Sequence, residues 1–132
     1  NKEHYTRHRV AEMGTYELVL VCWEPGQQTT IHDYDYSEAW VYVLDGEITE
    51  EGFHRPIDRE APKKYDTNRL ISGQFCYRNR EMGLHQFTNT GKERAISLHL
   101  YADPIQHWNT YNEQTNKMEQ TPVTYDFETE IV

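Results

Sequence analysis

No apolar run in this 132-residue chain approaches the ~20 residues that a membrane-spanning helix requires, and no signal-peptide pattern opens it. Basic residues are scarce: 13 Lys and Arg stand against 22 Asp and Glu, a formal charge of −9. Such a balance argues against nucleic acid or an anionic membrane as the main partner. Cysteine is nearly absent. Cys22 and Cys76 are the only two, and both sit in strand-like runs, so they read as buried free thiols rather than a disulfide. With no extracellular signal, that usage fits the reducing cytoplasm. Internal repeats, low-complexity tracts and convincing amphipathic helices are also missing, which removes solenoids, linkers and helical bundles from consideration. The chain opens on Asn1 rather than Met, as expected of a protein lacking an N-terminal segment.

Aromatic residues are what the chain has in quantity. They make up 13% of it, ten being Tyr, while hydrophobic residues reach only 36%. Short Tyr-rich apolar runs separated by turns predict an all-β barrel or jelly roll with one modest core, a single domain over residues 1–132. Residues 17–23, ELVLVCW, form the most continuous buried strand, ended by Pro25-Gly26. Residues 29–32 begin another strand, 40–44 form the next, and Asp45-Gly46 marks a hairpin. Residues 55–69, with two prolines and mixed charge, read as a long loop. Residues 70–77 are strand-like, with Gly73 a bulge or a close approach. In 94–101, RAISLHLY, alternation sets Ala95, Ser97, His99 and Tyr101 on one face. The polar stretch from Gln106 onward is expected to wrap the outside as irregular strands. By composition alone, residues 1–9 are a solvated edge.

The organising stretch is residues 26–46, GQQTTIHDYDYSEAWVYVLDG. In an extended segment i and i+2 share a face, so His32 and Tyr34 point the same way. His85, in GLHQFTN, is the natural third member from a distant strand. Neutral imidazoles suit Fe, Zn, Ni, Cu or Mn, and a tyrosinate favours a ferric ion. Tyr34 reads equally well as an ordinary half-buried strand tyrosine. Glu38 is a further carboxylate candidate of uncertain direction. Ser97, His99 and Tyr101 together have the form of a hydrogen-bond relay aimed at a bound metal or substrate.

Gly26, His32-x-Tyr34 and Gly46 resemble the first cupin motif with its second histidine replaced, and Gly83, His85 and Asn89 the second. More narrowly, YTR at 5–7, CWEPGQ at 22–27, IHDY at 31–34, GLH at 83–85 and SLHLY at 97–101 resemble the cysteine dioxygenase family. That resemblance implies a cupin double-stranded β-helix, a jelly-roll barrel, with one mononuclear non-haem iron. It implies a cytoplasmic monomer that oxidises L-cysteine with O2 to cysteine sulfinic acid. His32 and His85 match two iron ligands, and Tyr34 stands where the third histidine is expected. Tyr34 then stays protonated beside a two-histidine site, ligates as tyrosinate, or swings away while another group substitutes. Arg7 matches the arginine that pairs with the substrate carboxylate, Tyr5 a neighbouring pocket tyrosine, and Ser97, His99 and Tyr101 the relay. An arginine at that place goes with cysteine, whereas glutamine goes with mercapto acids lacking the amine. Ala39 falls where animal members carry the cysteine that crosslinks to the relay tyrosine, so Tyr101 is expected to be a free phenol. The rival expectation is a cupin of altered or no activity that binds a small thiol or carboxylate.

Overall fold

The computed structural model describes residues 2–35, 37–58 and 60–128. They form β1 (Thr6–Met13), β2 (Tyr16–Trp23), β3 (Glu38–Asp45), β4 (Glu47–Phe53), β5 (Lys64–Ile71), β6 (Phe75–Arg78), β7 (Leu84–Thr88), β8 (Ala95–Ala102), β9 (His107–Asn112), β10 (Lys117–Pro122) and β11 (Phe127–Glu128). The one helical turn among them is a 3-10 turn at Arg80–Met82. The six-stranded sheet runs β11-β1-β2-β8-β3-β6, and β5-β4-β7 makes a second. The expected all-β architecture is therefore present.

The strict alternation of β2 and β8 decides what enters the barrel. Along β2, Glu17, Val19, Val21 and Trp23 are buried, and along β8 so are Ala95, Ser97, His99 and Tyr101. Antiparallel register sets Val21 beside Ser97, Val19 beside His99 and Glu17 beside Tyr101. On the other flank of β8, Ala39 faces Tyr101 and Val41 faces His99. A valine wall thus surrounds a polar strip, as the sequence pattern predicts.

Four expectations need correction. Residues 55–69 are not all loop, because β5 begins at Lys64. That strand buries only Leu70, so it carries no apolar alternation by which to be recognised. Residues 70–77 are two strands, not one, joined by a turn in which Gly73 takes φ +91°. Residues 29–32 are an extended segment held by isolated bridges, not a regular strand. Of residues 1–9, expected as a solvated edge, 6–9 are strand. β1 is sandwiched between β2 and β11, and Arg7 is 7% exposed.

One glycine is required by its surroundings. Gly83, at φ +84°, would place a Cβ 2.4 Å from the Phe53 carbonyl oxygen. It lets the chain turn tightly into β7 and so sets where His85 enters the barrel.

Deep between the sheets, Arg78 on β6 pairs bidentately with Glu50 on β4, Nε to Oε2 at 3.0 Å and Nη2 to Oε1 at 2.9 Å. The Cys76 thiol donates to the same carboxylate at 3.2 Å. Burial, with the Glu50 charge beside it, pushes the Cys76 thiol well above its ordinary range. Neither cysteine is in a disulfide. Two predictions follow from this cluster. Arg78→Leu should cost about 3–5 kcal/mol of stability in urea unfolding, because it strands a buried carboxylate. Glu50→Leu combined with Arg78→Leu should recover much of that loss. A thiol kept protonated by the fold stabilises fully below the ~8.5 at which an unfolded thiol ionises, and that stabilisation is lost as pH rises further. The melting temperature should therefore begin to fall above about pH 8.5, and Cys76→Ser should delay the onset toward the tyrosine range near pH 10.

Candidate active site

Backbone hydrogen bonds, rather than a continuous strand, position His32. Its N–H donates to the His85 carbonyl at 2.9 Å, and the His85 N–H donates back to His32 at 2.8 Å. On the other side His32 bridges to Thr110, and Asp33 donates to the Asn109 carbonyl at 3.0 Å. The segment is thus stitched between β7 and β9. Ring centroids of His32 and His85 lie 4.6 Å apart, Tyr34 and His85 4.4 Å, and His32 and Tyr34 5.4 Å. Three side chains from two distant stretches meet.

Burial makes these groups neutral. It lowers His32 to about 4 and holds His85 and His99 well below the usual imidazole range. It also raises Tyr34 well above the usual phenol range, with Tyr101 adding to the effect. His32 Nδ1 lies 2.7 Å from the Thr30 carbonyl oxygen, which can only accept. The proton therefore sits on Nδ1 and leaves a lone pair on Nε2. His85 Nε2 is buried without a partner. With the two rings 4.6 Å apart, the orphaned His85 nitrogen and the His32 lone pair could serve as two donors to a divalent cation. No cluster of three His, Cys, Asp or Glu occurs among the described residues, so any third protein donor here would be the Tyr34 phenol. Glu38 is exposed at the start of β3 and does not contribute.

Tyr5, Arg7, His32, Tyr34, His99 and Tyr101 line one pocket with Trp23 and Trp108, a cavity of only about 30 Å³. A ligand larger than a water or two therefore needs these side chains to give way. His85 does not line it and lies behind, against the Tyr34 ring. Trp23 Nε1 donates to Ser97 Oγ at 2.9 Å, and Ser97 Oγ is 2.7 Å from His99 Nε2. The Ser97 oxygen thus accepts from the indole and pairs with His99, whose Nδ1 faces the Tyr101 oxygen at 3.3 Å. Arg7 Nη1 reaches the Tyr101 oxygen at 3.5 Å and Arg7 Nε donates to the Thr124 carbonyl at 3.1 Å. Arg7 Nη2 is buried with no partner. A buried cation with one corner unpaired is a receptor for an anion.

Several pocket residues escaped the sequence reading. Trp23 ends the apolar run of β2 and reads there as core. Trp108 lies in the polar tail, whose scattered aromatics give no period to follow, and Thr124 and Tyr125 of the same tail contact Arg7 without lining the pocket. The tail is not merely an outer wrapping. Arg7 lies 4.7 Å from the Trp108 ring centroid and 5.4 Å from that of Tyr125.

The family model for cysteine dioxygenase type I matches residues 1–114. The chain belongs to that family. Cysteine dioxygenase type 1 of Danio rerio is 33% identical over 126 residues, and that of Homo sapiens 29% over 124. Each match covers 92% of this chain but 62% of the relative, so the chain spans under two thirds of their length. Among solved structures, a Klebsiella pneumoniae protein with a double-stranded β-helix domain superposes with a TM-score of 0.61. It is 20% identical, over 77% of this chain and 79% of the other. An RmlC-like cupin from Desulfovibrio desulfuricans gives 0.60 at 19% identity, covering 80% and 88%. The fold is a cupin double-stranded β-helix.

Within this cysteine dioxygenase family member, Ser97→Ala would leave the Trp23 indole and His99 Nε2 buried and unpaired. It should lower stability by about 1–3 kcal/mol in urea unfolding, whereas Ser97→Thr, which keeps the hydroxyl, should lose less than half as much.

Proposed function

We propose that the pocket is a thiol dioxygenase site for L-cysteine and O2, with His32, His85 and Tyr34 around one iron ion. The observation that carries the reading is that two buried groups are left unsatisfied, Arg7 Nη2 on a residue lining the pocket and His85 Nε2 on a ring packed behind it against Tyr34. One is a lone pair for a cation, the other a donor for a carboxylate. The overall reaction inserts both atoms of O2 into the thiol, R–SH + O2 giving R–SO2H, with no external reductant. Iron, when bound, supplies the site at which thiolate and O2 react.

The protein's own groups then have separable tasks. Arg7 holds the carboxylate through Nη2, on a protein whose net charge of −9 otherwise repels anions. Trp23, Trp108 and Tyr5 exclude bulk water. The Ser97–His99–Tyr101 relay keeps the Tyr101 phenol oriented, with Ala39 rather than a cysteine facing it. Burial holds the Tyr34 phenol protonated, its ring packed 5.1 Å from that of Tyr101, so it must give up a proton to act as a ligand. A protonated Tyr34 beside two histidines is the state that best preserves oxygenation, since tyrosinate favours Fe(III). A Tyr34 kept protonated by burial also supports the second reading, in which the pocket binds a small thiol or carboxylate without turnover.

The test is oxygen uptake by iron-loaded protein with L-cysteine. The expected result is one O2 consumed per thiol and a product 32 mass units heavier; cysteine binding without uptake would favour the second reading. His32→Ala and His85→Ala should each abolish stoichiometric iron, and full iron content in both variants would remove the metal from these residues. Tyr34→His should raise iron affinity and turnover. Arg7→Ala should weaken L-cysteine binding about ten- to a hundredfold, as expected for a charge-assisted pair of roughly 1.5–3 kcal/mol. Cysteamine, which lacks the carboxylate, should be almost indifferent to that change. Equal losses for both thiols would make Arg7 a fold residue.

A further inference from the structure

We propose that Trp108 is the specificity-determining residue of this pocket, a rigid wall that limits the thiol acid to a single methylene between its α-carbon and sulfur. The inference rests on the thiol dioxygenase reading and adds what that reading leaves open, namely how the site rejects longer thiols. Neither cupin motif contains Trp108, and it stands in a stretch whose composition reads as an outer wrapping.

Backbone pairing, not side-chain chance, brings the indole in. Just after Trp108, β9 is fixed against the His32 segment through Asp33 N–H to the Asn109 carbonyl at 3.0 Å and Tyr111 N–H to the Ile31 carbonyl at 2.8 Å. From there the ring reaches two functional points at once. The Arg7 guanidinium carbon lies 4.7 Å from its centroid. The His32 ring meets it edge-on at 5.1 Å, with planes at 65°. The Tyr34 ring follows at 6.1 Å.

These contacts define a span. A substrate that binds carboxylate at Arg7 and sulfur at a metal on His32 must run between the two points that the indole already touches. The indole then lies along the substrate's carbon chain, so an added methylene has to be accommodated against a large, inflexible ring. It also screens the Arg7 cation from water on that side, which strengthens its hold on an anion. Exclusion of one extra methylene by an apolar wall is worth about 10- to 200-fold in selectivity.

The experiment compares L-cysteine with L-homocysteine, one methylene longer, on the wild type, Trp108→Leu and Trp108→Phe. Affinities are read by calorimetry on iron-loaded protein without oxygen, and kcat/KM is then read with oxygen. The wild type should prefer cysteine at least tenfold in both measurements. Trp108→Leu should shrink that preference by tenfold or more, homocysteine improving while cysteine weakens, and Trp108→Phe should fall between. Should the leucine variant fail to fold, a phenylalanine variant with wild-type selectivity overturns the inference. So does a leucine variant in which both thiols weaken together, since that marks a packing role only. A wild type that oxidises cysteine but shows no preference overturns this inference alone. A wild type that neither binds nor oxidises cysteine overturns the dioxygenase reading, and this proposal with it.

Discussion

The site depends on one reciprocal pair of backbone hydrogen bonds, between His32 and His85 at 2.9 and 2.8 Å. Residues separated by more than fifty positions are locked side by side by groups every amino acid possesses. The side chains are then free to carry chemistry rather than cohesion. Gly83 enters this constraint directly. Its positive φ and its contact with the Phe53 carbonyl set the start of β7, and hence the register in which His85 faces Gly52 across the sheet. A one-residue slip would turn His85 away from the interior.

Around that pair the interior is arranged so that imidazoles stay neutral while cations stay paired or poised. Burial lowers His32, His85 and His99, which suits them to accept a metal without competing protons. The two buried arginines differ in kind. Arg78 is satisfied by Glu50 in a bidentate pair and acts as structure. Arg7 is held by Tyr101, Thr124 and two aromatic faces, and keeps one nitrogen unpaired. An unsatisfied donor in a well-packed protein is costly, and the proposed carboxylate is what relieves it.

Much of this was legible in the residues. Alternation alone placed Ser97, His99 and Tyr101 on one buried face, because β8 is buried on one side and follows a strict period of two. His32, Tyr34 and His85 were found by residue type and spacing, and the structure brings their rings together. Arg7 was different. Its segment has no apolar period, so composition placed it in solvent, and only the YTR resemblance pointed inward. β5 was missed because nearly all of it is exposed, and an exposed strand has no pattern to betray it. Trp108 reaches the pocket, and Tyr125 reaches Arg7, through long-range placement of the tail that local sequence does not encode.

In the proposed reaction the histidine nitrogens and the unpaired guanidinium nitrogen serve one oxygenation. The most direct measurement is mass spectrometry of the product formed from L-cysteine under isotopically heavy dioxygen. Cysteine sulfinic acid bearing two heavy oxygens is the predicted result. A product with one or no heavy oxygen, or cystine alone, would contradict the claim.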